Sequence, residues 1–152
     1  MSEKEEKVYY MDFAIRHLWH KISRMYNQKA NDHDLTMSIG FILLNIEKEG
    51  TPSTQLGPKM GMEPTSLSRT LKTMEEKLLI YRQSDVQDKR KVLLFLTEDG
   101  LKKRKMARDV VFGLNETLTA NIPKGKLKIF YDVAERLDTT LDAELKELEK
   151  NE

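Results

Sequence analysis

The 152-residue sequence contains no cysteine, which excludes disulfides, thiolate zinc sites and cysteine-based redox sensing. No apolar run approaches the roughly 18 residues of a membrane span, and the opening MSEKEEKVYY has no apolar stretch of the signal-peptide kind. A cytoplasmic protein with no membrane partner is therefore expected. A Gly-rich phosphate loop, a G-x-S-x-G elbow and an H-E-x-x-H helix are all missing, so neither an enzyme nor a cofactor is expected. Excess charge is lacking too: 26 Lys+Arg stand against 25 Asp+Glu, leaving +1. What is present is 39% hydrophobic and 34% charged residues, the balance of a globular chain. The length reads as a single domain over 1–152, large enough to bury roughly 70% of its unfolded surface.

Net charge conceals how the charge is placed. Residues 51–97 carry +3, residues 98–110 and 111–130 carry +2 each, and residues 131–152 carry −5. An acidic C-terminal segment masks a basic middle, the asymmetry expected when one face meets phosphate and another meets something else.

The apolar spacing predicts a helix over about 8–29, where Met11, Ile15, Leu18, Ile22 and Met25 recur at helical intervals. Trp19 and Tyr26 widen that stripe. Thr36 is an expected N-cap for a buried helix over about 37–49, with Gly50 as its left-handed C-terminal residue. Thr51-Pro52 is expected to open a short third helix that tolerates Pro58 only by being short, and Gly61 closes it. Pro64 starts a fourth helix over about 64–78, carrying Leu67, Leu71, Met74 and Leu78. Two helices joined by a short Gly-containing turn form a helix-turn-helix.

Two β-prone runs follow, Ile80–Ser84 and Val92–Thr97, as a hairpin with a charged tip. Thr97 is placed to cap a helix reaching about residue 120, which carries the basic run Lys102-Lys103-Arg104-Lys105. Asn121-Ile122-Pro123 breaks it, and a last helix spans about 124–149. The predicted fold class is mainly α (α+β): a winged helix-turn-helix over about 36–100 with flanking helices at about 8–29 and 101–149. Those flanking helices carry apolar stripes that a compact winged domain cannot cover, so pairing with a second copy as a homodimer is expected.

On a helical wheel Leu71, Met74 and Leu78 fall within about 40° of Leu67. Thr65, Arg69 and Lys72 lie opposite, flanked by Ser66 and Ser68. Such a helix offers hydroxyls, a guanidinium and an ammonium to a DNA major groove. Arg69 suits bidentate pairing with guanine, and Thr65 and Ser66 sit at the positive helix end. The tip Asp88-Lys89-Arg90-Lys91 adds three cations, with Arg90 suited to a narrow minor groove. Asp88 reads as an ion-pair or loop-capping residue that orients the arginine. His17 and His20 at i, i+3 and His33 have metal-compatible spacing, but packing or surface roles are the expectation and no metal is assigned.

The stretch Leu35–Gly100 resembles the multiple-antibiotic-resistance regulator (MarR) family of winged helix-turn-helix repressors. The likeness rests on Gln55-Leu56-Gly57, Leu67-Ser68-Arg69, Leu71 and Met74-Glu75, Asp88-Lys89-Arg90, and Leu96-Thr97 with Gly100. Arg82 matches the family's wing-opening arginine, a wing-orienting position like that of Asp88. The sequence departs from the pattern in three places. Leu78 stands where Gly is usual, so the helix end is expected to close without a left-handed residue. Lys89 replaces an arginine, keeping charge but losing the planar fork. Gly57-Pro58 replaces a pair of small residues.

The resemblance implies a homodimeric transcription regulator on double-stranded DNA carrying a pseudo-palindromic operator, with a small lipophilic effector in a cleft beside the winged domain. Trp19, Tyr26 and Phe41 are candidates for that cleft, although their helical spacing favours core positions. The alternative is a dimeric winged-helix module whose basic middle meets an acidic protein and selects no DNA sequence.

Overall fold

The computed structural model describes residues 10–151. In chain order it contains α1 (Met11–Asn31), α2 (Met37–Asn45), β1 (Thr51–Pro52), α3 (Ser53–Met60), α4 (Pro64–Glu76), β2 (Ile80–Ser84), β3 (Val92–Leu96), α5 (Glu98–Thr119) and α6 (Lys124–Glu149). This is the mainly α winged helix-turn-helix expected. The first two positions of the predicted opening helix, residues 8 and 9, lie outside the described residues. Two compact units make up the chain, one running through Val111 and the other from Phe112 to Glu152. No helix among the described residues is long and apolar enough to cross a membrane.

The core of the first unit gathers Ile39, Ile42 and Leu43 of α2, Leu56 of α3, Leu67, Leu71 and Met74 of α4, and Ile80 and Leu94 of the sheet. Burying side chains of this size contributes about 1.5–3 kcal/mol each. The same burial fixes how α4 is rotated: with three residues of one face in the core, the opposite face must look outward. In the second unit α6 buries no residue and exposes Phe130, Leu141, Leu145 and Leu148.

Two local expectations are corrected. The second helix ends at Asn45 rather than near 49, because Ile46 turns to extended backbone. The Thr51 hydroxyl then accepts the Glu47 amide at 2.8 Å, so residues 46–50 form a turn. Gly50 has φ +95°, but within that turn rather than as a helix terminator. A Cβ there would lie 2.5 Å from the Phe95 ring. The short third helix is present but starts at Ser53, with Pro52 as its N-cap rather than in its first turn, and Thr51-Pro52 pairs antiparallel with β3, Thr51 opposite Leu94 and Pro52 opposite Leu93. The sheet therefore has three strands in the order β1-β3-β2 rather than two. Pro52 lies on an edge strand, where a missing N–H costs little, and its extended ψ of 131° leads into α3 at Ser53. Thr36 caps α2 as expected, accepting the Ile39 amide at 3.2 Å.

Three helices close by one backbone device. After α3, Gly61 (φ +62°) donates to the Pro58 carbonyl and Met62 to the Gly57 carbonyl. After α4, Leu78 (φ +57°) donates to Glu75 at 3.0 Å and Leu79 to Met74 at 2.9 Å. After α1, Asp34 (φ +55°) donates to Asn31 at 3.1 Å and Leu35 to Ala30 at 2.9 Å. Each is a Schellman closure, in which a left-handed residue turns the chain back to satisfy the last carbonyls. The expectation that α4 would close without a left-handed residue is thus corrected. Leu78 itself takes the left-handed conformation, with its side chain largely exposed.

The next junction explains the spacing of Thr97 and Gly100. The Thr97 hydroxyl donates to the Leu78 carbonyl at 2.6 Å and accepts the Gly100 amide at 3.0 Å. Thr97 N–H bonds the Leu79 carbonyl at 3.0 Å, and a Cβ at Gly100 would collide with that same carbonyl. At the end of α1, the Lys77 ammonium reaches the Asp34 carboxylate at 2.9 Å. Hydrogen bonding and charge attraction from Lys77 hold the Asp34 carboxyl below its ordinary value of 3.8.

Leu78→Gly removes a left-handed leucine at the loss of little packing. It is expected to stabilise the fold by about 0.5–1 kcal/mol, the left-handed penalty less the extra chain entropy of glycine, read as a raised thermal midpoint. Asp34 makes a second prediction. Its folded-state pKa is depressed, so its contribution is complete above the ordinary carboxylate value and is lost as pH falls through the folded value. Acid titration followed by circular dichroism should show a shallower decline for Asp34→Asn than for the native chain below pH 3.8.

Candidate nucleic-acid interface

The outward face of α4 follows from its inward one. Leu67, Leu71 and Met74 are buried, while Thr65, Ser66, Ser68, Arg69 and Lys72 are exposed. Pro64 occupies the first turn and Glu63 makes no side-chain cap. The Thr65 and Ser66 amides therefore stand in the positive end of the helix without a side-chain acceptor. Thr70 and Thr73 direct their hydroxyls back to the Ser66 and Arg69 carbonyls, at 2.9 and 3.2 Å. That leaves Thr65, Ser66, Ser68, Arg69 and Lys72 as the polar groups presented outward, with Glu76 exposed in the last turn of the helix.

The wing is built by Ile80–Ser84 pairing with Val92–Leu96, Arg82 opposite Leu94 and Ser84 opposite Val92. Its tip is organised by its own carboxylates. Asp85 Oδ1 accepts the amides of Gln87 at 2.8 Å and Asp88 at 3.4 Å. Asp88 Oδ1 accepts the Arg90 amide at 3.1 Å. Backbone bonds from Lys91 to Asp88 and from Asp85 to Lys91, both 2.9 Å, close the loop. Of the two roles read for Asp88, the geometry is that of a loop cap that fixes the Arg90 backbone. Lys89, Arg90 and Lys91 are exposed. Neither they nor Arg69 and Lys72 enter an ion pair among the described residues. Cations that are already paired would have to give up a partner to meet a polyanion; these have none to give up.

Arg82 does not reach the tip. Its Nε donates to Glu75 Oε1 at 2.8 Å, tying β2 to the last turn of α4 and so holding wing and helix in one frame. With both side chains about a third exposed, the pair is worth at most about 1 kcal/mol. Sequence reasoning missed Glu75 as its partner and Asp85 as the second loop cap. An Asp two residues before another loop amide is the available signal for the latter.

A small apolar cleft of about 30 Å³ lies between α1, α2 and the part of α5 before Phe112, walled by Tyr26, Ala30, His33, Phe41, Ala107 and Val110 among others. Tyr26 and Phe41 meet edge-to-face at 5.5 Å, so these two residues are cleft walls rather than core. Trp19 is neither: it is half-exposed on α1 and does not line the cleft. His17 stacks with Phe13 at 6.1 Å. No group of three or more metal-ligating side chains occurs among the described residues.

An outward polar helix beside a basic two-stranded wing, both mounted on one core, defines a winged helix-turn-helix domain. The MarR family model matches residues 35–92. The chain is 30% identical over 89 residues to the HTH-type transcriptional regulator TtmR of Methylorubrum extorquens (strain PA1), covering 58% of this chain and 46% of that one. It is 33% identical over 78 residues to the organic hydroperoxide resistance transcriptional regulator of Bacillus subtilis (strain 168), covering 49% and 53%. The match thus spans about half the length of these relatives. Among solved structures, the S. aureus MepR–DNA complex superposes with a TM-score of 0.80 at 20% identity, over 88% of this chain and 99% of that one. The fold is therefore shared well beyond the matched stretch.

The capping role of Asp88 is separable from its charge. Asp88→Asn retains the acceptor and should leave the Arg90 amide protected from hydrogen exchange. Asp88→Ala should expose it, with global stability changing by no more than about 1 kcal/mol.

Proposed function

We propose that this chain is a sequence-specific DNA-binding transcription regulator acting as a homodimer on a pseudo-palindromic operator. The observation that carries this reading is the juxtaposition of an unpaired polar helix face with an unpaired basic tip, joined through Arg82–Glu75. The N-terminal half of α4 enters the major groove, where Arg69 pairs with guanine and Thr65, Ser66 and Ser68 contact bases or phosphate. Arg90 enters the adjacent minor groove, and Lys72, Lys89 and Lys91 meet phosphates. Relatives named as transcription regulators and a structural neighbour solved with DNA support the same assignment.

Homodimerisation is supported by the exposed apolar side chains of α1 (Met11, Phe13, Ile15, Leu18) and of α6 (Phe130, Leu141, Leu145, Leu148). Patches of this extent mark interaction surfaces. The cleft lined by Tyr26 and Phe41 is the place for a small lipophilic effector, since its walls are apolar, and it must widen to admit one.

Selection of random duplexes on the purified protein should return an inverted repeat with half-site centres roughly 34 Å apart, one helical turn. Specific Kd is expected at about 10⁻⁸–10⁻¹¹ M and should weaken steeply with added salt. Arg90→Ala should weaken binding without shifting the thermal midpoint. Arg69→Ala should cost about 1–3 kcal/mol and also relax the sequence preference. A native protein that enriches no sequence would instead favour an acidic protein as the partner of the basic middle. Sedimentation velocity should give a dimer.

A further inference from the structure

Two of the three left-handed helix ends, Asp34 after α1 and Leu78 after α4, are not glycine, and one lysine joins them. Lys77, the residue before Leu78, places its ammonium 2.9 Å from the Asp34 carboxylate and 3.4 Å from the Asp34 carbonyl. From the other side Lys103 of α5 donates to the His33 carbonyl at 2.6 Å. Both cations sit on the negative end of α1, where the last carbonyls point outward. Backbone held in a sparsely populated conformation persists only where its surroundings over-determine it, and such positions mark sites of conformational control.

The His33-Asp34 segment has a second role. His33, Leu35 and Thr36 are walls of the apolar cleft, so the residue that anchors Lys77 is flanked on both sides by cleft residues. A group that widened the cleft would press on this segment. Lys77 directly precedes Leu78, whose carbonyl and amide fix how α4 passes into the wing. The path from cleft wall to the end of the recognition helix is then one loop, one ion pair and one turn.

We propose that the Asp34–Lys77 contact is a latch through which filling of the cleft alters the placement of α4. Its effect on DNA affinity rests on the reading above, but the latch itself can be followed without DNA. Lys77 is a positioning residue and touches no base. Differential contact of this kind is what couples two sites, since a ligand shifts an equilibrium only by what it does differently to the two states.

The test is a double-mutant cycle. Gly40→Leu fills the cleft from α2, where a Cβ would stand 3.8 Å from that of Ala107. Ala107→Val does so more mildly from α5 and serves if the first variant fails to fold. Lys77→Gln opens the latch and Lys77→Arg restores it. Without DNA, cleft filling should speed hydrogen exchange at the Leu78 and Leu79 amides by about fivefold, and should add nothing in the Lys77→Gln background. With the selected duplex, Lys77→Gln should weaken binding about three- to fivefold, Lys77→Arg should recover it, and the Gly40→Leu/Lys77→Gln pair should be no weaker than the weaker single variant. Cleft filling that leaves both amides unchanged, or effects that add fully in the double variant, would overturn the latch. A native protein that binds no duplex overturns the DNA reading alone, because amide exchange still decides the latch.

Discussion

The wing, α4 and the start of α5 all meet at the dipeptide Leu78-Leu79. One left-handed residue there ends α4, the Leu78 carbonyl receives the Thr97 hydroxyl, and the Leu79 carbonyl receives the Thr97 amide while lying against Gly100. Leu79 and Ile80 then enter the core beside Met74. Three elements are thus oriented by four backbone groups on two consecutive residues. A change in that turn would move the polar face of α4 and the basic tip relative to one another, whatever became of the core. Leucine at the left-handed position is unfavourable in itself, and the density of bonds around it is what holds it there.

Much of this arrangement is legible in the amino-acid order. Leu67, Leu71 and Met74 at helical spacing determine which side of α4 is buried, and the exposure of Thr65, Arg69 and Lys72 follows without further information. Thr97 and Gly100 mark the α5 start because one supplies a cap and the other tolerates a carbonyl against its Cα. Less legible is anything decided by pairing across the chain. Thr51-Pro52 has the local signature of a helix start and does lead into α3, but that it also forms an edge strand depends on Leu93 and Leu94 as partners. The early end of α2 has the same cause, since the Thr51 side chain draws the Glu47 amide out of the helix.

The aromatic residues mark a different boundary. Helical spacing assigns Trp19, Tyr26 and Phe41 alike to a packed stripe, because spacing reports a face but not what lies opposite it. Tyr26 and Phe41 face a cleft and Trp19 faces solvent within this chain. Charge behaves similarly. The overall +1 says nothing of Lys89, Arg90 and Lys91 on a loop, or of Lys77 and Lys103 spent on the carbonyl end of α1. Lysines of one composition class divide into those kept unpaired at an exposed tip and those used internally as fasteners.

The wing tip carries one more consequence. Asp85 and Asp88 satisfy the loop amides from within, so its shape is set before any partner arrives. A floppy loop of seven residues would have to surrender its freedom on docking, which subtracts from affinity. A loop already folded surrenders little, but it also cannot mould itself to what it meets. Its arginine is carried like a gauge of fixed width, suited to a partner of matching shape rather than to one it must adapt to.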